Sequence, residues 1–195
     1  NQVTVAGGGQ VFNGVGYVGA YTGANNNAVT VTGAGSVWSN SANLYVGNSG
    51  ANNSLTISNA AQVFSAAGYL GNNTGATNNS VLITGAGSVW SNADLYVGNS
   101  GANNSLTISN AAQVFSQIGY VGYATSASNN SVLVTGAGSV WSNSGNLNLG
   151  GLDIADGNRL TITNGGQVFD ATGYVGFGGR SNIAVVSGAG SLWNN

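Results

Sequence analysis

The charged side chains of this sequence are few enough to weigh one by one: Asp94, Asp153, Asp156 and Asp170, against Arg159 and Arg180. Hydrolysis of a glycosidic bond uses two carboxylates held about 5–9.5 Å apart. Asp94 and Asp170 each follow a short apolar segment in distant parts of the chain, and only Asp153 and Asp156 share a loop. Lys, Glu, His, Cys, Met and Pro do not occur, so no ordinary general base and no thiolate metal ligand is at hand. The sequence therefore predicts no catalytic residue, no metal site and no cofactor. A Ca²⁺ ion could draw on Asp153 and Asp156, but it needs about 6–8 oxygen ligands, and the spacing is not that of an EF-hand. An ion pair is the blander use of these charges. Counted back from the strands that follow them, Asp156 and Arg180 fall at matching places, which predicts a pair between adjacent coils worth about 0–1 kcal/mol.

Charged residues make up 3% of the chain and the net charge is −2, which leaves no basic face for a phosphate backbone. A cationic amphipathic helix for a membrane surface is likewise missing, as is an apolar stretch of transmembrane length. No nucleic-acid partner and no membrane insertion by this segment are expected. Hydrophobic residues nevertheless reach 42% and recur in register, so there is a core to bury.

What must position these side chains is a repeat. The phrase Thr-Gly-Ala-Gly-Ser-Val-Trp-Ser-Asn at 32–40 returns at 84–92 and 135–143, and in modified form at 187–195. Midway between these copies stands a sister phrase ending in Gln-Val-Phe, with Phe12, Phe64, Phe115 and Phe169. A period near 26 residues marks an array of one small unit. Within residues 27–52, Ala-Val-Thr-Val-Thr alternates as a half-buried strand does, Gly33 and Gly35 break it, and Ser-Val-Trp-Ser and Leu-Tyr-Val supply two further short strands. Three strands and three bends describe one coil of a parallel β-helix rising about 4.8 Å per coil. The expected fold is all-β, a right-handed, single-stranded parallel β-helix of about seven and a half coils occupying residues 1–195, the handedness following the usual crossover preference. The absence of capping segments suggests an excerpt or processed part of a longer chain, or a filament subunit.

Alternation assigns the inward residues. Val29 and Val31 lead two ladders continued by Leu55 and Ile57, Val81 and Ile83, Leu106 and Ile108, Val132 and Val134, Leu160 and Ile162, and Ile183 and Val185. In the third strand Leu44, Val46, Leu95, Val97, Leu147 and Leu149 point in, while Tyr45, Tyr96 and Asn148 point out. In the second strand Val37 and Trp38 must face opposite ways. Taking the aromatic as inward predicts a core ladder of Phe12, Trp38, Phe64, Trp90, Phe115, Trp141, Phe169 and Trp193.

The paired phrases Val-Thr-Gly-Ala-Gly-Ser-Val-Trp-Ser-Asn…Leu-Tyr-Val-Gly and Leu-Thr-Ile-Ser-Asn-Ala-Ala-Gln-Val-Phe…Gly-Tyr-Leu-Gly resemble the short repeats of type V secretion (T5SS) autotransporter passengers and PEP-CTERM-associated surface proteins. The resemblance runs along essentially the whole chain. It implies a secreted or cell-surface β-helix of a Gram-negative-type bacterium, structural or adhesive and not enzymatic, of the kind found in filaments and biofilms. The chain departs from the pattern in showing no translocator barrel, sorting tail or signal peptide, which leaves the export route open.

Three surface features invite partners. Tyr17, Tyr45, Tyr69, Tyr96, Tyr120 and Tyr174 align as an outward stripe, a candidate surface for a partner or surface glycans. The hydroxyls of Thr30, Thr32, Thr56, Ser58, Thr107, Ser109, Thr161 and Thr163 form a second stripe, interrupted by Leu82, Leu133 and Ala184, whose layout resembles that of ice-binding solenoids. Open strand edges at the two ends predict end-to-end self-association or continuation as a longer chain. Asn52, Asn72, Asn78, Asn103 and Asn129 each head an Asn-X-Ser/Thr triplet, which a chain so rich in Asn and Ser also produces by chance. The leading expectation is an extracellular structural or adhesive rod. An ice-binding or carbohydrate-binding solenoid is the alternative, and a polysaccharide-degrading enzyme ranks below both.

Overall fold

The computed structural model describes residues 1–151 and 154–195. Twenty-three short strands among them form three sheets of eight, eight and seven strands, and every pairing is parallel. Each strand pairs with its counterpart one coil away, as Ala28–Thr32 does with Ser54–Ser58, in unshifted five-residue register. The result is the β-solenoid that the period predicts, with one core enclosed by the three sheets.

The first and third sheets follow the alternation. Val31, Ile57, Ile83, Ile108, Val134 and Ile162 are buried in one column, and Leu82 turns outward between Val81 and Ile83. The last strand departs from expectation. Ala184 and Val186 stack on Leu160 and Ile162, whereas Ile183 is 49% exposed and Val185 lies level with the outward Thr161. Ile-Ala-Val-Val is apolar in either phase, so its own pattern could not choose. Asn182 sets the register from outside.

Asn182 belongs to a column of asparagines that opens successive coils. The Oδ1 of Asn79 accepts the main-chain N–H (2.8 Å) and the Nδ2–H (3.1 Å) of Asn53. Asn104 does the same for Asn79, Asn130 for Asn104, and Asn158 for Asn130. Asn182 Oδ1 then accepts the N–H of Asn158 at 2.8 Å. From Asn53 to Asn158 these amides are buried, where an unpaired polar group would cost about 1–3 kcal/mol. Preceding each is a residue of positive φ: Asn52 (57°), Asn78 (56°), Asn103 (58°) and Asn129 (55°). Asparagine tolerates that left-handed conformation better than most residues. The Asn-Asn-Ser triplets are thus a turn residue, a ladder residue and the first residue of a strand.

The second sheet corrects the aromatic ladder. Trp38 and Trp90 stack on Val63, and Phe64 lies level with Ser39 and Ser91. The inward column alternates Val11, Trp38, Val63, Trp90, Val114, Trp141, Val168 and Trp193. Trp38, Trp90 and Trp141 are buried and Trp193 is partly so. Phe12, Phe64, Phe115 and Phe169 occupy outward positions, with Phe12 70% and Phe115 39% exposed. Aromatic character had equated the third residue of Gln-Val-Phe with the second of Val-Trp-Ser; strand parity separates them.

Each indole leans back over a glycine of the preceding coil. A Cβ on Gly119 would lie 2.7 Å from Trp141 Cζ2 and 2.9 Å from Leu147 Cδ1, and one on Gly68 would lie 2.6 Å from Trp90 Cζ2. Gly16 under Trp38 and Gly173 under Trp193 repeat the arrangement. Coils with Trp carry Leu44, Leu95 or Leu147 at the third-strand position where coils with Phe carry glycine. Large and small residues interlock between coils, which makes two coils the packing unit.

The indole N–H groups then select the residue after each Phe. Trp38 Nε1 donates to Asn13 Oδ1 (2.7 Å), Trp141 Nε1 to Ser116 Oγ (3.1 Å) and Trp193 Nε1 to Asp170 Oδ2 (2.6 Å). Trp90 Nε1 has no partner, and it lies at the corner where the chain from Trp90 to Leu95 is one residue shorter than from Trp38 to Leu44. There the main-chain N–H of Asn92 takes the Phe115 carbonyl, the group type that the side chains of Asn40 and Asn143 reach in their own corners, and Asn92 Nδ2 is left unpaired.

Trp141→Ala should cost about 3–5 kcal/mol in equilibrium denaturation, whereas Phe115→Ser should cost under about 1 kcal/mol. Gly119→Ala should cost about 1–3 kcal/mol by overpacking and be partly rescued by Trp141→Phe in a double-mutant cycle.

Candidate functional site

The third sheet carries the tyrosines on its outer face. Tyr17, Tyr45, Tyr69, Tyr96 and Tyr120 form one continuous stack, with ring centroids 5.1, 4.9, 4.8 and 4.8 Å apart and ring planes within 13° of parallel. The spacing follows from the strand repeat: identical side chains in register must stand about 4.8 Å apart. Tyr174 shares the column but not the stack, because Asn148 stands between Tyr120 and Tyr174. The stripe is therefore five rungs, a polar break and one separate ring.

Stacking decides what this face can present. The broad face of each internal ring is covered by its neighbours, so solvent meets ring edges and phenol oxygens. A sugar ring packing flat on an aromatic needs an open ring face, and the internal rungs offer none. The Tyr45 hydroxyl accepts a hydrogen bond from Asn43 Nδ2 at 3.0 Å. Three residues after Tyr45, Tyr69 and Tyr96 come Asn48, Asn72 and Asn99, whose amides run as a second ladder: Asn72 Nδ2 donates to Asn48 Oδ1 (2.9 Å) and Asn99 Nδ2 to Asn72 Oδ1 (3.0 Å). The equivalent place after Tyr120 holds Tyr123, whose ring lies edge-on to Tyr96 and Tyr120.

Asp94 is the carboxylate of this face, two residues before Tyr96 and level with Ala67 and Ile118. Burial, and after it the charge of Asp94, push the Tyr96 phenol far above its ordinary pKa. Tyr120 is raised by the same causes in the same order, and Tyr69 by burial and then by Tyr45 and Asp94.

Asp156 and Asp170 do not converge on it. Asp170 is buried under Trp193; burial raises its pKa, opposed by the indole hydrogen bond. Asp156 meets Arg180 on the adjacent coil, but through the main chain. The Arg180 N–H donates to Asp156 Oδ1 at 2.6 Å, and the Arg180 carbonyl accepts from the N–H of Gly157 at 3.0 Å. The predicted ion pair is thus a loop-to-loop amide contact. Asp153, the other half of the Ca²⁺ idea, lies outside the described residues. Among the described residues no group of three or more His, Cys, Asp and Glu is placed to hold a metal.

The first sheet presents the hydroxyls. Thr4, Thr30, Thr56, Thr107 and Thr161 share a column broken by Leu82, Leu133 and, in the last strand, Val185 in place of the expected Ala184. In the neighbouring column Ser58 Oγ donates to Thr32 Oγ1 (2.9 Å) and Ser109 Oγ to Thr84 Oγ1 (3.0 Å), so these hydroxyls bond to one another across coils.

Comparison with protein-family models, with curated proteins and with solved structures gives no match.

The tyrosine shifts have a pH consequence. Because Tyr69, Tyr96 and Tyr120 hold their protons more tightly folded than unfolded, their contribution is whole below the ordinary phenol pKa of 10.0 and is lost as pH rises beyond it. The denaturation midpoint should fall above about pH 10, and Tyr96→Phe should shallow that fall. Phenolate absorbance should show native tyrosines ionising later than those of the unfolded chain.

Proposed function

We propose that this chain is a structural and adhesive rod at a bacterial exterior, of the autotransporter-passenger kind. The observation that carries the reading is the sameness of successive coils. Three parallel sheets, an asparagine ladder and a tyrosine stack run along one axis, so that the chain repeats a surface instead of concentrating side chains at one centre. A repeated surface suits contact with an extended partner, where weak contacts at each level add through multivalency. The phrase-level resemblance to exported bacterial repeats supports the extracellular setting. Glycans remain within this reading as hydrogen-bonding partners of phenols and amides.

The hydroxyl columns of the first sheet favour a second reading, ice binding. Thermal hysteresis that disappears in the Thr30→Tyr, Thr56→Tyr double variant would establish it in place of the first.

Beads coated with the whole chain should adhere to bacterial and glycan-bearing surfaces, and the adhesion should rise steeply with coating density. Release of reducing ends from polysaccharides, abolished by Asp156→Asn, would overturn the reading.

A further inference from the structure

The outer face of the second sheet repeats every two coils. In one column Phe64 and Phe115 alternate with Ser39, Ser91 and Ser142. In the other, Gln62 and Gln113 stand level with the phenylalanines, and Val37, Val89 and Val140 with the serines. Phe12 with Gln10 and Phe169 with Gln167 continue the pattern. Phe115 is exposed and Phe64 half-buried, while the inward Val and Trp fill the core, so the fold does not call for a ring at either place. Among the described residues no outward position of this sheet carries a charge. The face is neutral and ridged by phenyl groups, with a serine-floored recess between one ridge and the next.

A second copy of the chain fits those recesses. Two sheets packed face to face lie about 10 Å apart, a gap that one long and one short side chain fill together. Phe against Phe would prop the sheets apart, and Ser against Ser would leave a void. A two-fold axis along the strand direction, passing between a Phe coil and a Trp coil, avoids both. It reverses the rod, keeps each column over itself and sets every Phe level over a Trp level. With the axis between the coils of Trp90 and Phe115, Ser91 meets Phe115 of the second copy, and Phe64 meets Ser142. Gln meets Val in the other column, so each level carries the same total volume. A two-fold axis along the rod gives no such match. It crowds Phe on Gln at one level and leaves Ser on Val at the next. A partner of another kind would need the same two-coil repeat, which a copy of the chain has by construction.

We propose that the outer face of the second sheet is a side-by-side dimer interface, in which two antiparallel rods interdigitate their Phe and Ser levels. The contact is isologous and closed, and dry in the manner of a steric zipper. The eight short strands present a footprint of about 38 Å by 13 Å, or about 500 Å² per copy. That is near the lower limit of a specific interface, so the dissociation constant is expected in the micromolar range or above. The proposal concerns association of the rod with itself and stands apart from the adhesive reading.

Sedimentation equilibrium of the whole chain from micromolar to millimolar concentration should show monomer passing to dimer and no further. Phe64→Ser with Phe115→Ser should weaken dimerisation roughly a hundredfold or more, with the far-UV circular dichroism unchanged. Ser91→Phe should weaken it too, although it adds apolar surface, because the new ring meets Phe115 of the second copy. Adding Phe115→Ser to Ser91→Phe should restore association, since large and small are then exchanged across one contact. The chain has no cysteine, so single spin labels report the direction of the rods. Labels at Ser41→Cys should lie about 15 Å farther from their mates than labels at Ala93→Cys, because reversal offsets the outer site by more coils. A monomer throughout would overturn the proposal, as would dimerisation strengthened by Ser91→Phe or untouched by the double Phe variant. Equal distances at the two labelled sites would show parallel rods and overturn the interdigitation.

Discussion

In a parallel stack without register shift, every residue lies on its counterpart in the next coil, about 4.8 Å away. A side chain that recurs at each level must therefore tolerate its own copy above and below. Like unit charges at that distance repel by about 1 kcal/mol even in water, and the penalty recurs at each level. A repeat built on Lys or Glu would carry that cost along its whole length. Asparagine escapes it because an amide is donor and acceptor at once, so a column of Asn53, Asn79, Asn104 and Asn130 satisfies itself. Hydroxyls and phenol rings also stack with copies of themselves. Two of the charges that remain sit where the neighbouring levels are neutral: Asp94 between Ala67 and Ile118, and Arg159 between Ser131 and Ile183. Scarcity of charge is thus a consequence of the stacking.

The core meets the same constraint differently. A column of tryptophans at every level would crowd a narrow interior, so each Trp lies between valines and its indole fills the space over a glycine. The coil backbone repeats at about 26 residues, but its side-chain volumes repeat only at twice that. This separates the roles of the two phrases. One supplies volume and an indole donor; the other supplies the recess and the acceptor at Asn13, Ser116 or Asp170.

The period, the three strands per coil and the inward columns of the first and third sheets were legible because they rest on strict alternation within five residues or fewer. Legibility failed where alternation was silent. Ile-Ala-Val-Val reads equally well in either phase, and only Asn182, fixed to Asn158, decides between them. Phe and Trp were equated because both are aromatic and the residue before each does not separate them: a Val precedes both Phe64 and Trp90, and only the pairing makes Val63 inward and Val89 outward. The Asn-Asn pairs were visible, yet their meaning needs two facts that a single coil does not contain, a left-handed turn and an amide one coil away. Of the surface features, the tyrosine column was read from spacing. Its confinement to five rungs, the covered ring faces and the seat of Tyr123 emerged only from stacked coils.

The central claim, that the coils lock in pairs through indole and glycine, is tested most directly by nuclear Overhauser contacts in the folded chain. The account predicts contacts from the indole ring protons of Trp90 to the Hα protons of Gly68, and from those of Trp141 to Gly119, with the Phe64 and Phe115 rings giving none to either indole. Contacts between the Trp and Phe rings in a shared inward column would contradict it.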